Sequence, residues 1–189
     1  MVLVSIIIGL GIGHILLGVG GIIDRLSGPG VPLKLSVAHG AWLGTVFFWM
    51  VLFWWWEYRF SELRPEWTVQ LYFFLVTYAV LLFLMAAVLV PRSWDGVDDL
   101  DSYLLDRRAW FYSFYALMNV VDLVDSYLKG GWQYVAELGP FNWAFFASAF
   151  VFLVIGIRSR NPKHHAAMAV VSLIWQIATG PVVLPKLGF

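Results

Sequence analysis

From Trp67 to Val90 the chain carries no charged side chain. A helix over that stretch rises about 36 Å at ~1.5 Å per residue, against a hydrocarbon core of about 30 Å. Backbone amides and carbonyls in such a core must bond within their own segment, so the run constrains the chain to membrane helices. Six segments meet or approach that length: about 3–23, 37–56, 67–90, 109–128, 142–157 and 166–183. Their apolar runs are continuous rather than alternating, which excludes the strands of a membrane barrel. The composition agrees. It is 61% hydrophobic and 13% charged, whereas a soluble domain is about half apolar and about a quarter charged. The expected fold is all-α: a polytopic membrane protein, one domain over 1–189, built as a bundle of about six transmembrane helices.

Trp54–Trp56, Trp67, Trp94, Trp110, Trp132 and Trp143 fall near the expected helix ends, where indole rings favour the interface. Lys and Arg set the orientation. The first, third and fifth connections hold Arg25, Lys34, Arg92, Arg107, Arg108, Arg158, Arg160 and Lys163. The remaining connections and the C-terminus hold Arg59, Arg64, Lys129 and Lys186. This bias puts the odd connections in the cytoplasm and both termini outside. The first apolar stretch has no basic residues before it, so it reads as a retained helix rather than a cleaved signal peptide. A net charge of zero gives no footprint for nucleic acid. The absence of cysteine removes disulfides, thiolate metal sites and thiol catalysis.

The fourth segment contains Tyr115–Lys129, YALMNVVDLVDSYLK. At 100° per residue Tyr115, Asn119, Asp122, Ser126 and Lys129 share a stripe, with Asp125 at its edge. An ionisable residue in a membrane span is costly and marks a functional site by default. Paired carboxyls one turn apart suit a proton site, a cation site with Asn119 as a neutral oxygen ligand, or a polar-solute pocket. Gln176 and Thr179 on the sixth segment, Asn142 on the fifth and Gln70 on the third stand at similar expected depth. The plainer expectation places Asp125, Ser126 and Lys129 at a solvated interface, with Asp122 bonded to a neighbouring helix.

On the first segment Gly11, His14, Gly18 and Gly21 share a face, and Ser5, Gly9, Gly13 and Gly21 form a ridge beside it. Gly9, Gly13, Gly18 and Gly21 are therefore expected to admit close helix packing. His14 has a sharper reading too. Imidazole on a bare-backbone face suits an axial ligand to a haem or chlorophyll-type pigment, although no cofactor is firmly expected. His39 and His164-His165 read as interfacial residues within reach of headgroups or anions.

The acidic run DGVDDLD between the third and fourth segments lacks the alternating ligands of a calcium loop. It reads as a solvated loop, with Asp101 or Ser102 capping the next helix. No HExxH, GxSxG or P-loop is present, so no catalytic residues are assigned and metal ligands stay unknown.

FWWWEYRFSELRPEWTVQLYFFLVTYAVLLFLMAAVLVP (Phe53–Pro91) and DSYLLDRRAWFYSFYAL (Asp101–Leu117) resemble a group of small bacterial multi-pass inner-membrane proteins of unassigned function. The resemblance rests on an aromatic run, an acidic-basic loop, Trp-Thr before the next span and Arg-Arg before the fourth. It implies a helical fold in the bacterial inner membrane and brings no activity. Three functions remain. The first is a non-catalytic accessory or scaffold subunit of a larger membrane complex or homo-oligomer, in contact with the bilayer and with bound lipid. The alternative is a small ion, proton or polar-solute transporter or channel using Asp122 and Asp125. The third is a pigment- or haem-binding subunit with His14 as ligand.

Overall fold

The computed structural model describes residues 2–29, 32–63 and 67–183, and the side chains of these except 59, 61–63 and 179–183. The described chain is all-helical, in six helices: α1 (Val2–Ser27), α2 (Val37–Leu63), α3 (Val69–Leu89), α4 (Leu100–Ala136), α5 (Gly139–Arg158) and α6 (Pro162–Val183). Four of them, α1, α2 over Val37–Tyr58, α3 and α5, are long and apolar enough to cross a membrane. α4 misses that standard because its buried face carries charge. Thr179 and Lys186 lie outside the described side chains.

α2 is the centre of the packing: it lies against α6, α3, α4 and α1, while α1 is seated mainly on α3 and α5 on α4. The reason can be read in its spacing. Trp42, Val46, Trp49, Phe53, Glu57 and Phe60 recur every three or four residues, and all are buried. Trp42 places its ring 4.9 Å from Phe111 and 5.0 Å from Tyr115, and Trp49 stacks on Tyr115 at 5.7 Å. Each such aromatic pair contributes about 0.5–1.5 kcal/mol beyond the area it buries.

Several close approaches use glycine. Gly18 of α1 lies against Val90, where a Cβ would come within 2.8 Å of that side chain, and a Cβ on Gly21 would run into the Trp94 indole. Gly9 and Gly13 have nothing within 4 Å. On α5, Gly156 sits directly on the ring of Tyr112.

The first, third and fifth connections gather at one end of the bundle. Lys34 and Asp99 form a single parallel β-bridge, with Lys34 N–H donating to Asp98 O (2.8 Å) and Leu100 N–H to Lys34 O (3.0 Å). Arg25 bonds Asp98 at 2.6 Å, and Lys34 pairs with Asp99 at 2.9 Å and Asp101 at 3.3 Å. Asp98, Asp99 and Asp101 are thus held by basic side chains rather than solvated alone, while Asp95 bonds Ser93. Asp99, not Asp101 or Ser102, caps α4, accepting from the amides of both. The cap and the Lys34 pair share one carboxylate, so a single residue fixes both loops.

Partial burial alone would raise the Asp99 carboxyl, but Lys34 and the two amides outweigh it and hold it below the usual aspartate value. A depressed carboxyl contributes stability above its unfolded value, about 3.9, and loses it as pH falls through the lower folded value. Amide protection at Lys34 and Leu100, corrected for intrinsic exchange, is therefore expected to disappear only below about pH 4. Asp99→Ala should remove it at neutral pH, with about 1 kcal/mol of lost cap stability. Unchanged protection in that variant would show that the bridge stands without the carboxylate.

His39 and His165 are buried, contrary to the interfacial role expected for them. His39 Nε2–H donates to Leu89 O at 2.7 Å. His165 Nε2–H donates to Ser159 O at 3.1 Å, which leaves Nδ1 to accept from Tyr112 O–H at 2.9 Å. Both satisfy the end of a neighbouring helix from within. His164 alone of the three is exposed, beside Ser159.

Candidate functional site

At the opposite end of the bundle a cavity of about 400 Å³ opens between α2, α3, α4, α5 and α6. Its lining is aromatic and charged together: Trp49 and Trp56 from α2, Tyr78 from α3, Asp122, Asp125, Ser126 and Lys129 from α4, Phe145 and Phe146 from α5, Trp175 and Gln176 from α6. Met118, Tyr134, Glu137, Leu138 and Asn142 complete it. The chain between α4 proper and α5 is shaped for this by glycine. Gly130 and Gly131 interrupt the helix, Gly131 at φ 68° and ψ −162°. Gly139 turns again at φ 76°. The short segment between them brings Tyr134, Glu137 and Leu138 onto the cavity. The exit expected at Lys129-Gly130-Gly131 is thus a break followed by another helical turn, and α4 extends beyond 109–128 in both directions.

Lys129 is the hub of the charged wall. It is buried, and its Nζ donates to Glu57 Oε1 of α2 at 3.5 Å and to Asp125 one turn back on α4. The face of Phe60 lies 5.0 Å from the same ammonium. Glu57 and Asp125 are each only 2% exposed, so the solvated interface expected for Asp125, Ser126 and Lys129 is replaced by an interior. The physical reason is α2. Its continuation to Leu63 covers these residues with Glu57 and Phe60, where a helix ending near 56 would have left them open.

One oxygen of each acid, Asp125 Oδ1 and Glu57 Oε2, has no donor. Asp122 faces the cavity half-buried and accepts from Tyr78 O–H at 3.1 Å. Among the described residues no basic group lies within 4 Å of it. Glu57, Asp122 and Asp125 therefore stand against one ammonium. Their excess negative charge must be balanced by protons or by a cation, because an uncompensated buried charge is strongly unfavourable.

Of the residues singled out from sequence, Asp122, Asp125 and Gln176 line this cavity, as does Asn142, whose Nδ2 is turned back to Leu138 O. Asn119 is buried but lies outside the lining, its Nδ2 donating to Tyr115 O at 2.9 Å. Gln70 is exposed and takes no part. Glu57 and Tyr78 were missed. The signal for Glu57 was present, since it falls in register with Trp42, Trp49, Phe53 and Phe60 on one face of α2.

His14 stands apart from the cavity, half-buried, its ring 6.1 Å from Phe83 and its Nε2 without a partner. The bare backbone on either side of it is covered: a Cβ on Gly11 would strike Met50 at 2.6 Å, and Gly18 lies on Val90. Side chains of this chain thus fill the face on which a flat tetrapyrrole would rest. No group of three or more His, Asp or Glu side chains among the described residues is placed to hold a metal ion. No family model matches the chain, and no curated protein or solved structure does either.

Proposed function

We propose that the protein is a six-span inner-membrane protein, with its odd connections in the cytoplasm and its termini outside, that moves a small polar or charged solute through the cavity beside Asp122. The carrying observation is the cavity itself, with a charged wall of Asp122, Asp125 and Lys129 backed by Glu57. A polar contact that only glued helices together would need no space around it, and buried charges are retained in membrane helices chiefly along substrate or ion paths. α4 and α6 join the four apolar helices in the bilayer on this reading, their polar faces turned inward. The basic residues of the odd connections, all at the end away from the cavity, support the orientation.

Reconstituted protein should carry flux of protons, alkali cations or small amines, and Asp122→Asn should abolish it while the variant elutes and melts like the wild type. Equal flux in the variant, or none in the wild type across that panel, would sink the transport reading. A packing subunit is the second reading, favoured by the outer face of α1, where Gly9 and Gly13 leave open space beside exposed Leu10 and Leu17. An inert wild type that purifies with stable protein partners would establish that role instead.

A further inference from the structure

We infer that the cavity takes an organic ammonium ion, a protonated amine on a small apolar or aromatic body. The inference rests on the cavity having the solute-binding role proposed above, and it names the class of solute.

The lining combines two recognition chemistries that rarely coincide by accident. Trp49, Trp56 and Trp175 bring indole rings, the aromatic surface best suited to a cation. Asp122 supplies a carboxylate with no basic neighbour within 4 Å among the described residues. Lys129 forms no direct ion pair with it, since that ammonium donates to Glu57 and Asp125. An anion would meet three carboxyls, Asp122, Asp125 and Glu137, across the same space. A neutral apolar ligand would leave the charge of Asp122 uncompensated.

A second observation points to a donor on the ligand. Asp125 is 98% buried, lines the cavity, and its Oδ1 accepts from no donor in the protein. An N–H-bearing ammonium seated between Asp122 and Asp125 would satisfy that oxygen and balance the excess charge together. A bare metal ion fits less well. It requires several converging oxygen ligands, and the described acids are not grouped to hold one. The volume, about 400 Å³, lies in the range of small-molecule sites and well above that of a single dehydrated ion.

The test is binding, read separately from flux. Purified full-length protein in detergent is titrated with benzylammonium chloride while tryptophan fluorescence is followed, with sodium chloride and benzyl alcohol as controls. Saturable quenching by benzylammonium is expected, with benzyl alcohol at least about tenfold weaker, as the loss of a charge-assisted hydrogen bond implies. Asp122→Asn should weaken benzylammonium by about tenfold or more and leave benzyl alcohol unchanged, whereas Asp122→Glu should retain binding. The Glu variant guards against a folding artefact, as does the melting temperature of each protein. Equal affinities for the two probes, or undiminished binding in a folded Asp122→Asn, would overturn the inference. Saturable ammonium binding without flux would leave it standing and remove transport. Flux of another solute without ammonium binding would do the reverse.

Discussion

Lys129→Met is expected to destabilise the protein by about 3–5 kcal/mol, the usual cost of leaving a buried charge without its partner. Lys129 is the ammonium that joins α2 to α4 in the interior, through Glu57 on one helix and Asp125 on the other. Methionine keeps an unbranched stem of nearly the same length and gives up the ammonium's place over the Phe60 ring, so lost packing contributes little beside the lost charge. What remains is two buried carboxyls with nothing to offset them. The denaturation midpoint in a mild detergent measures the effect. The reading is separated from a general intolerance of substitution by the triple variant Glu57→Gln, Asp125→Asn, Lys129→Met. Replacing all three charges removes the uncompensated pair, and most of the stability should return, since a buried ion pair contributes little net stability over neutral groups of similar shape. A single variant as stable as the wild type would mean that water reaches these carboxyls freely.

The second large effect is steric. Gly156→Ala drives a Cβ into the ring of Tyr112, closer than non-bonded carbons approach. The ring cannot swing aside cheaply. It lies 5.9 Å from Trp42 and 5.4 Å from Phe111, and its hydroxyl bonds His165 at 2.9 Å. Relieving the clash must part α5 from α4 or break the tyrosine–histidine bond. Overpacking of this kind costs about 1–3 kcal/mol, enough to exceed the gain of up to about 1 kcal/mol that alanine brings to a helix interior. Gly13→Ala is the matched control. Nothing lies within 4 Å of that position, so the helix gain should appear alone and the melting temperature should hold or rise. Similar melting temperatures for the two variants would show that α4 and α5 are not in the close contact described.

Helicity was legible from the length of the apolar runs. Those runs also located α3 within two residues at its start and one at its end, because there the hydrophobic pattern and the helix end together at Thr68 and Val90. They failed at α2 and α4. Each helix continues past its apolar run into a residue that is charged in type and buried in fact, Glu57 in one and Lys129 in the other. Hydropathy cannot separate a charged residue at a helix end in water from one facing a partner of opposite sign. The periodicity of the buried face could have done so. Glu57 keeps the three-four spacing of Trp49, Phe53 and Phe60, and Lys129 keeps that of Asp122 and Asp125.

The histidines were misplaced for a related reason. His39 and His165 stand at helix starts, where position alone suggests an interface, yet His39 meets Leu89 O and His165 meets Tyr112 O–H, partners about fifty residues away that come close only in the assembled bundle. The glycines of α1 divided along the same line: Gly18 and Gly21 meet side chains from α3 and the loop after it, whereas Gly9 and Gly13 meet none.

Sequence by itself determined that this chain is helical, that it holds apolar runs long enough to cross a bilayer, and that Asp122 and Asp125 are out of keeping with the run that carries them. Local chemistry suffices for each, since helix length, hydropathy and the spacing of two acids are properties of single segments. Only the tertiary structure decided what those acids face. Lys129 is neutralised across the bundle by Glu57, Asp122 is left to a cavity walled by indoles, and the face beside His14 is filled by Met50 and Val90. Those outcomes depend on which side chains from distant segments arrive at one place, and no single helix encodes that.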